Sequence, residues 1–160
     1  MSKLKLSEWA NLAEIGASLA VVASLAYVGL EINQNTKAVH AATYQGFIGD
    51  LTQIGLAIVT DPNLDRIVTS GESSPAELSA QEWTTFSRVS LAFIGQMELA
   101  YLSYLDGTMS DSQWSGIEPF IESRLCWPGY RRFWYENYQS AISPVFIAYV
   151  ESDVLPSCGD

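Results

Sequence analysis

IGASLAVVASLAYVGL, residues 15–30, is an unbroken run of 16 uncharged residues, and Glu14 is the only charge between Glu8 and Glu31. As a helix rising ~1.5 Å per residue, the run spans about 24 Å and the stretch from Trp9 to Leu30 about 33 Å, which straddles the length that crosses a bilayer. Half of the run is small (Gly16, Ala17, Ser18, Ala20, Ala23, Ser24, Ala26, Gly29), so it is a weak lipid anchor for its length. The same residues suit packing. Gly16, Ala20 and Ser24 recur every fourth position on one helix face, the pattern that lets backbones approach closely in a membrane. Trp9 and Tyr27 are placed for the two interfaces. The favoured reading is a membrane helix that associates with itself or with a partner.

Two competitors face that reading. At 16 residues the run also fits a buried helix of a soluble bundle. A signal peptide would use Lys3 and Lys5 before the run and Ser24-Leu25-Ala26 as its cleavage site, but Glu8 and Glu14 do not belong in such an n-region. Lys3 and Lys5 before the helix, with only Lys37 closely after it, favour an inward N-terminus and an external domain.

Beyond Glu31 no Pro or Gly interrupts Asn33-Gln34-Asn35-Thr36. Tyr44, Phe47, Leu51, Ile54 and Ile58 then recur at spacings of three and four, an amphipathic helical stripe. The first helix is thus expected from about Trp9 to Thr60, ending where Asp61-Pro62 opens the next one with an N-cap and a proline at the first helical position. That second helix is expected to stop at Gly71. Ser79 with Glu82 and Ser110 with Gln113 are capping boxes. The first opens a helix carrying Phe86, Ser90, Phe93, Met97, Ala100 and Tyr104 on one face, closed by Asp106-Gly107. The second opens a helix to about Leu125. Pro128-Gly129 breaks the chain, Tyr130 to Ala141 reads as a further helix, and Ser143-Pro144 starts the last. With no strand-like alternation and no internal repeat, the fold is all-α. The expected division is a membrane helix over residues 1–33 and a helical domain over 34–160, with about five helices following the long first one.

Composition limits the partners. From Ile32 onward there are 15 acidic and 6 basic residues, a net of −9. Such a domain repels phosphate backbones, which argues against nucleic acid, and gains nothing from anionic lipid. Charged residues are only 16% of the chain, below the ~25% of ordinary soluble domains, so part of its surface is expected to be hidden from water by something besides its own core. Cys126 and Cys158 stand too far apart for a zinc motif. A single disulfide suits an oxidising compartment, whereas two free thiols are the favoured reading of the spacing.

As a set, several motifs become familiar: Ala20-Val21-Val22 through Tyr27, Glu31-Ile-Asn-Gln-Asn-Thr36, Tyr44-Gln45 and Asp61-Pro62. With them go Glu98-Leu-Ala-Tyr101, Tyr104, Trp114, Pro128-Gly129, Phe133-Trp134 and Ser143-Pro-Val-Phe146. The chain resembles, over nearly its whole length, a widespread group of uncharacterised bacterial proteins built from an N-terminal hydrophobic helix and a small helical domain. The resemblance implies a bacterial inner-membrane location and no particular activity. Members usually carry several arginines just after the apolar helix, which would place the domain in the cytoplasm. This chain has Asn33, Lys37 and His40 there, which leaves the side of the membrane open.

No constellation for chemistry stands out. The single histidine, His40, leaves Ser-His-Asp and Cys-His arrangements without support. It is read as a solvated or interfacial helix residue ahead of an axial ligand to haem or a chlorin. Paired Glu-x-x-His motifs, phosphate loops and nucleophile elbows are missing from the sequence. Glu98, within an apolar helix, is read as one half of an internal ion pair with Arg124, Arg131 or Arg132 rather than as a catalytic acid. Trp127, Tyr130 and Trp134 are candidate docking aromatics, weighed against a place in the core. The expectation is a non-enzymatic, membrane-anchored helical protein without a cofactor, serving as a homo-oligomer or as an accessory subunit of a membrane complex. The alternative is a small-ligand sensor with a pocket between helices.

Overall fold

The computed structural model describes residues 6–136 and 138–159. Lys3 and Lys5, which enter the orientation and signal-peptide readings, lie outside the described residues. The chain is all-α as expected, with no strand among the described residues. Its helices are α1 (Leu6–Thr60), α2 (Pro62–Ser73), α3 (Ala80–Leu105), α4 (Asp111–Leu125), α5 (Pro128–Tyr135) and α6 (Pro144–Tyr149). Short 3-10 turns occupy Pro75–Glu77, Tyr138–Ala141 and Leu155–Ser157, and a π turn covers Val150–Val154. The compact units divide between Val39 and His40.

Helix boundaries follow local chemistry. The Asp61 carboxylate accepts from Asn63 N and Leu64 N, and Pro62 takes the first helical position. Both capping boxes form, Ser79 with Glu82 and Ser110 with Gln113. Gly107 adopts φ +69° just past the end of α3, the left-handed conformation that only glycine takes freely.

Gly71 departs from its expected role. It does not stop α2, which runs on to Ser73. A Cβ on Gly71 would run into the Phe86 ring, and one on Gly129 into the Gly71 carbonyl oxygen. Both glycines exist for close approach, so α2 and α5 touch backbone to backbone. The helix expected over 130–141 likewise shifts: it starts at Pro128 and ends at Tyr135, with a separate turn over Tyr138–Ala141.

Within the unit from His40 on, the core joins every helix. Phe47 and Ile58 of α1 are buried, with Tyr44, Leu51 and Ile54 packed against the core, so the expected stripe faces inward. Phe86, Ser90, Phe93, Met97 and Ala100 of α3 are buried as its spacing predicts. Aromatic pairs tie α3, α4 and α6 together: Tyr104 stacks on Trp114 at 5.1 Å and Tyr101 on Tyr149 at 4.4 Å. Each such pair adds about 0.5–1.5 kcal/mol beyond its buried area.

Cys126 and Cys158 form a disulfide, with Cα atoms 5.2 Å apart. This corrects the expectation of free thiols. The spacing along the chain says nothing of α4 ending beside the last turn, and that proximity decides the pairing.

Two outcomes test this packing. Gly129→Ala is expected to cost about 3 kcal/mol, because backbone cannot yield as a side chain can. Gly95→Ala, with open space around its Cβ, is expected to gain about 0.5–1 kcal/mol as an ordinary mid-helix glycine replacement. Thermal unfolding in mild detergent reads both, and a Gly129→Ala as stable as the parent would show that the helices can part there. The second outcome concerns pH. Hydrogen bonds from Ser79 and the Arg66 guanidinium hold the Glu82 carboxyl down to about 2, from its usual 4.5. Its contribution is therefore complete above the usual carboxylate range and lost as pH falls toward 2. The stability gap between the parent and Glu82→Gln should shrink on acidification through that window, and a gap that ignores pH would refute the assignment.

Candidate functional site

The first candidate surface belongs to the unit before His40. From Ala13 to Val39 every side chain is exposed. The large apolar ones between Ile15 and Ile32 show 48–67% of their surface, on all sides of the helix. None of the described residues of the unit covers them. A helix apolar all round and uncovered is stable only where something other than water surrounds it.

Its serine and threonine hydroxyls are satisfied within the helix. Ser18 Oγ donates to Glu14 O at 2.9 Å, Ser24 Oγ to Ala20 O at 2.8 Å and Thr36 Oγ1 to Ile32 O at 3.0 Å. Along the apolar run the helix backbone and both serine hydroxyls are thus paired internally, as a segment in hydrocarbon requires. Gly16, Ala20 and Ser24 are exposed, and a Cβ on Gly16 would meet nothing. Because the Ser24 hydroxyl is spent inside its own helix, this face offers close backbone approach rather than hydrogen bonds to a neighbour.

The second candidate lies in the unit from His40 on, in a cleft of about 440 Å³ lined by Thr69, Glu72, Ser73, Trp127 and Pro128. The Gly71–Gly129 contact sets its depth, since Glu72 and Pro128 are the next residues along each helix. Arg124, at the end of α4, forms an ion pair with Glu72. The Arg124 guanidinium carbon lies 4.4 Å from the Trp127 ring centroid, with the Phe120 and Phe93 rings at 5.5 and 5.7 Å. Burial raises the Glu72 carboxyl above its ordinary range, outweighing the pull of Arg124 in the other direction. Tyr130 Oη is buried without a hydrogen-bond partner, and burial together with the Glu72 charge pushes its phenol well up.

Several expected roles change here. Arg124 pairs with Glu72, not with Glu98. The Glu98 carboxylate instead accepts from Ser143 N at 2.6 Å, at the N-cap of α6, and so ties α3 to that helix. Arg131 joins neither group, and Arg132 pairs with Glu136 while lying 4.0 Å from the Trp83 ring. The reason is geometric: α3 presents Glu98 toward α6, whereas α4 ends against α2. Tyr130 and Trp134 are core residues, 0% and 1% exposed, not docking aromatics. Starting α5 at Pro128 turns Tyr130, Phe133 and Trp134 inward and leaves Tyr135 outward. Trp127, at the N-cap, keeps 38% of its surface exposed and is the one of the three still available.

His40 is not simply solvated either. Its Nε2–H donates to Gly107 O at 2.9 Å, and its backbone carbonyl accepts from Gln113 Nε2 at 3.1 Å. It fastens α1 to the α3–α4 turn, a role that only the folded turn reveals. In the sequence, the one signal for Glu72 is its place directly after Gly71. Searches against protein-family models, curated proteins and solved structures find no match to this chain.

The ion pair is open to a mutational cycle. Arg124→Met should cost about 3 kcal/mol by leaving Glu72 unpaired in a largely buried position, and Glu72→Gln added to it should return most of that loss. A carboxyl raised by burial favours the protonated fold, so its effect on stability is benign in acid and worsens as pH rises through its folded pKa. The single variant should therefore be weakest at neutral pH and approach the double variant in acid. Unfolding midpoints of the four proteins across pH measure this, and strictly additive losses would mean that the two side chains do not depend on one another.

Proposed function

We propose that this chain is a single-pass membrane protein, of the bacterial inner membrane by its resemblance, whose helical domain has a structural or interaction role. It would act in its own oligomer or as an accessory subunit of a larger membrane complex. The observation that carries the reading is the apolar helix exposed on every side from Ala13 to Val39. A core helix of a soluble bundle would bury one face at least. The signal-peptide alternative is disfavoured because Glu8 and Glu14 do not belong in its n-region.

Association is part of the proposal. Small residues on one face make a modest anchor but a good packing surface, and the uncommitted Gly16, Ala20 and Ser24 supply it. The runner-up, a small-ligand sensor, has one observation in its favour, the cleft beside Trp127 and Glu72. A molecule co-purifying in that cleft would favour the sensor, and a subunit retained in mild detergent favours the interaction role.

The full chain should sediment with membranes and resist alkaline carbonate, while Leu19→Glu with Val22→Lys should release it, each charge costing about 2.5–3.5 kcal/mol at mid-bilayer. Recovery of the parent chain in the soluble fraction without detergent would end the proposal. Gly16→Leu with Ala20→Leu should stay in the membrane yet weaken the assembly seen by native mass spectrometry. An unchanged assembly would assign its contacts to the helical domain.

A further inference from the structure

We infer that the unit from His40 onward works on the oxidising side of its membrane, where the Cys126–Cys158 bridge locks the last turns of the domain onto α4, and that its partners are therefore extracytoplasmic. The inference rests on the membrane-anchored reading above and adds the side, the covalent state and the class of partner.

The bridge is the first ground. Both cysteines of the chain are in it, and no free thiol is left. They come from positions 32 residues apart, in elements with no sequence relation, and meet within the narrow Cα range that a disulfide tolerates. A cytosolic protein would keep such a pair reduced, so a structural bridge of this kind belongs to a compartment that oxidises thiols.

What the bridge fastens is the second ground. Val150 to Ser157 is irregular helix, a π turn then a 3-10 turn, that continues α6. Yet Val150 and Val154 are wholly buried in the core beside Tyr149. Core packing thus depends on these last helical turns, and Cys158 ends them while Cys126 caps α4. The bridge adds a covalent hold to that hydrogen bonding. Cys126 is also the neighbour of Trp127, so the same bond steadies the edge of the cleft.

Charge is the third and independent ground. Between Glu31 and Asp65 the only lysine or arginine is Lys37, whereas Lys3 and Lys5 precede the apolar run. Positive residues near a span collect on the cytoplasmic side. From His40 on the unit has 15 acidic residues, five arginines and no lysine, and three of those arginines (Arg66, Arg124, Arg132) are engaged in ion pairs. Such a surface has no attraction to the anionic cytoplasmic leaflet.

The test uses the full chain in intact cells with three readings on one preparation. Maleimide-PEG should leave the parent chain unshifted until a reductant is added and then shift it by one PEG mass per cysteine. In Cys126→Ser the remaining Cys158 thiol should react with a membrane-impermeant maleimide before the cells are lysed, whether or not the variant folds as well as the parent. Sedimentation should place both proteins with the membrane. Thiols that react without reductant, or a Cys158 labelled only after lysis, in a chain that still sediments, would overturn the sidedness and leave the anchor standing. A chain found in the soluble fraction would overturn both.

Discussion

The backbones of α2 and α5 meet at Gly71 and Gly129 beneath the Phe86 ring, and much of the domain is arranged by that contact. No side chain fits between them, so the two helices approach as closely as backbone allows. Glu72 follows Gly71 directly, and closeness to α5 delivers it to Arg124. Pro128 precedes Gly129 and starts α5 early enough to send Tyr130, Phe133 and Trp134 inward. One glycine pair thereby decides which charge is half-buried, which aromatics are core and where the cleft opens. Because protein interiors are packed nearly solid, a single added methyl at this point must be absorbed by several helices at once.

Helix starts were legible in the sequence because their causes are local. Asp61 before Pro62, Ser79 with Glu82, Ser110 with Gln113 and Ser143 before Pro144 each satisfy backbone donors within one turn, and the structure shows all four. The α1 and α3 stripes were legible for the same reason, since a helical period needs no knowledge of neighbours. What was misread depends on neighbours. Gly71 looks like a stop until Gly129 is known to lie against it. Glu98 and Arg124 look like partners until α6 and α2 are seen to claim them. The cysteines look independent until α4 and the last turn converge. At the candidate site, Trp127 and Arg124 are legible, but Glu72 falls just past the expected end of the second helix at Gly71. Tertiary contact, not propensity, made each of these assignments.

The two units differ in how far their polar groups reach. Before His40, hydroxyls of Ser18, Ser24 and Thr36 fold back on their own helix, leaving an apolar outer surface. Beyond it, hydroxyls such as Thr52 and Thr84 do the same, but other polar groups also join separate elements: His40 to Gly107, Gln113 to His40, Glu98 to Ser143 and Trp83 Nε1 to Glu136 at 2.7 Å. The first pattern suits a helix whose surroundings offer no hydrogen bonds. In the second, each side chain is worth something only if the fold is already assembled, which favours a single packed arrangement over looser ones.

The charge of the unit beyond His40 has a chemical side as well as an electrostatic one. With five arginines and no lysine among its residues, it offers no side-chain amine. Acylating reagents, aldehydes and amine-directed cross-linkers find no lysine there, and trypsin meets only arginines, three of them already held by carboxylates. Carboxyl groups are what this surface presents in quantity, so carbodiimide activation is the chemistry by which a neighbour could be captured on it.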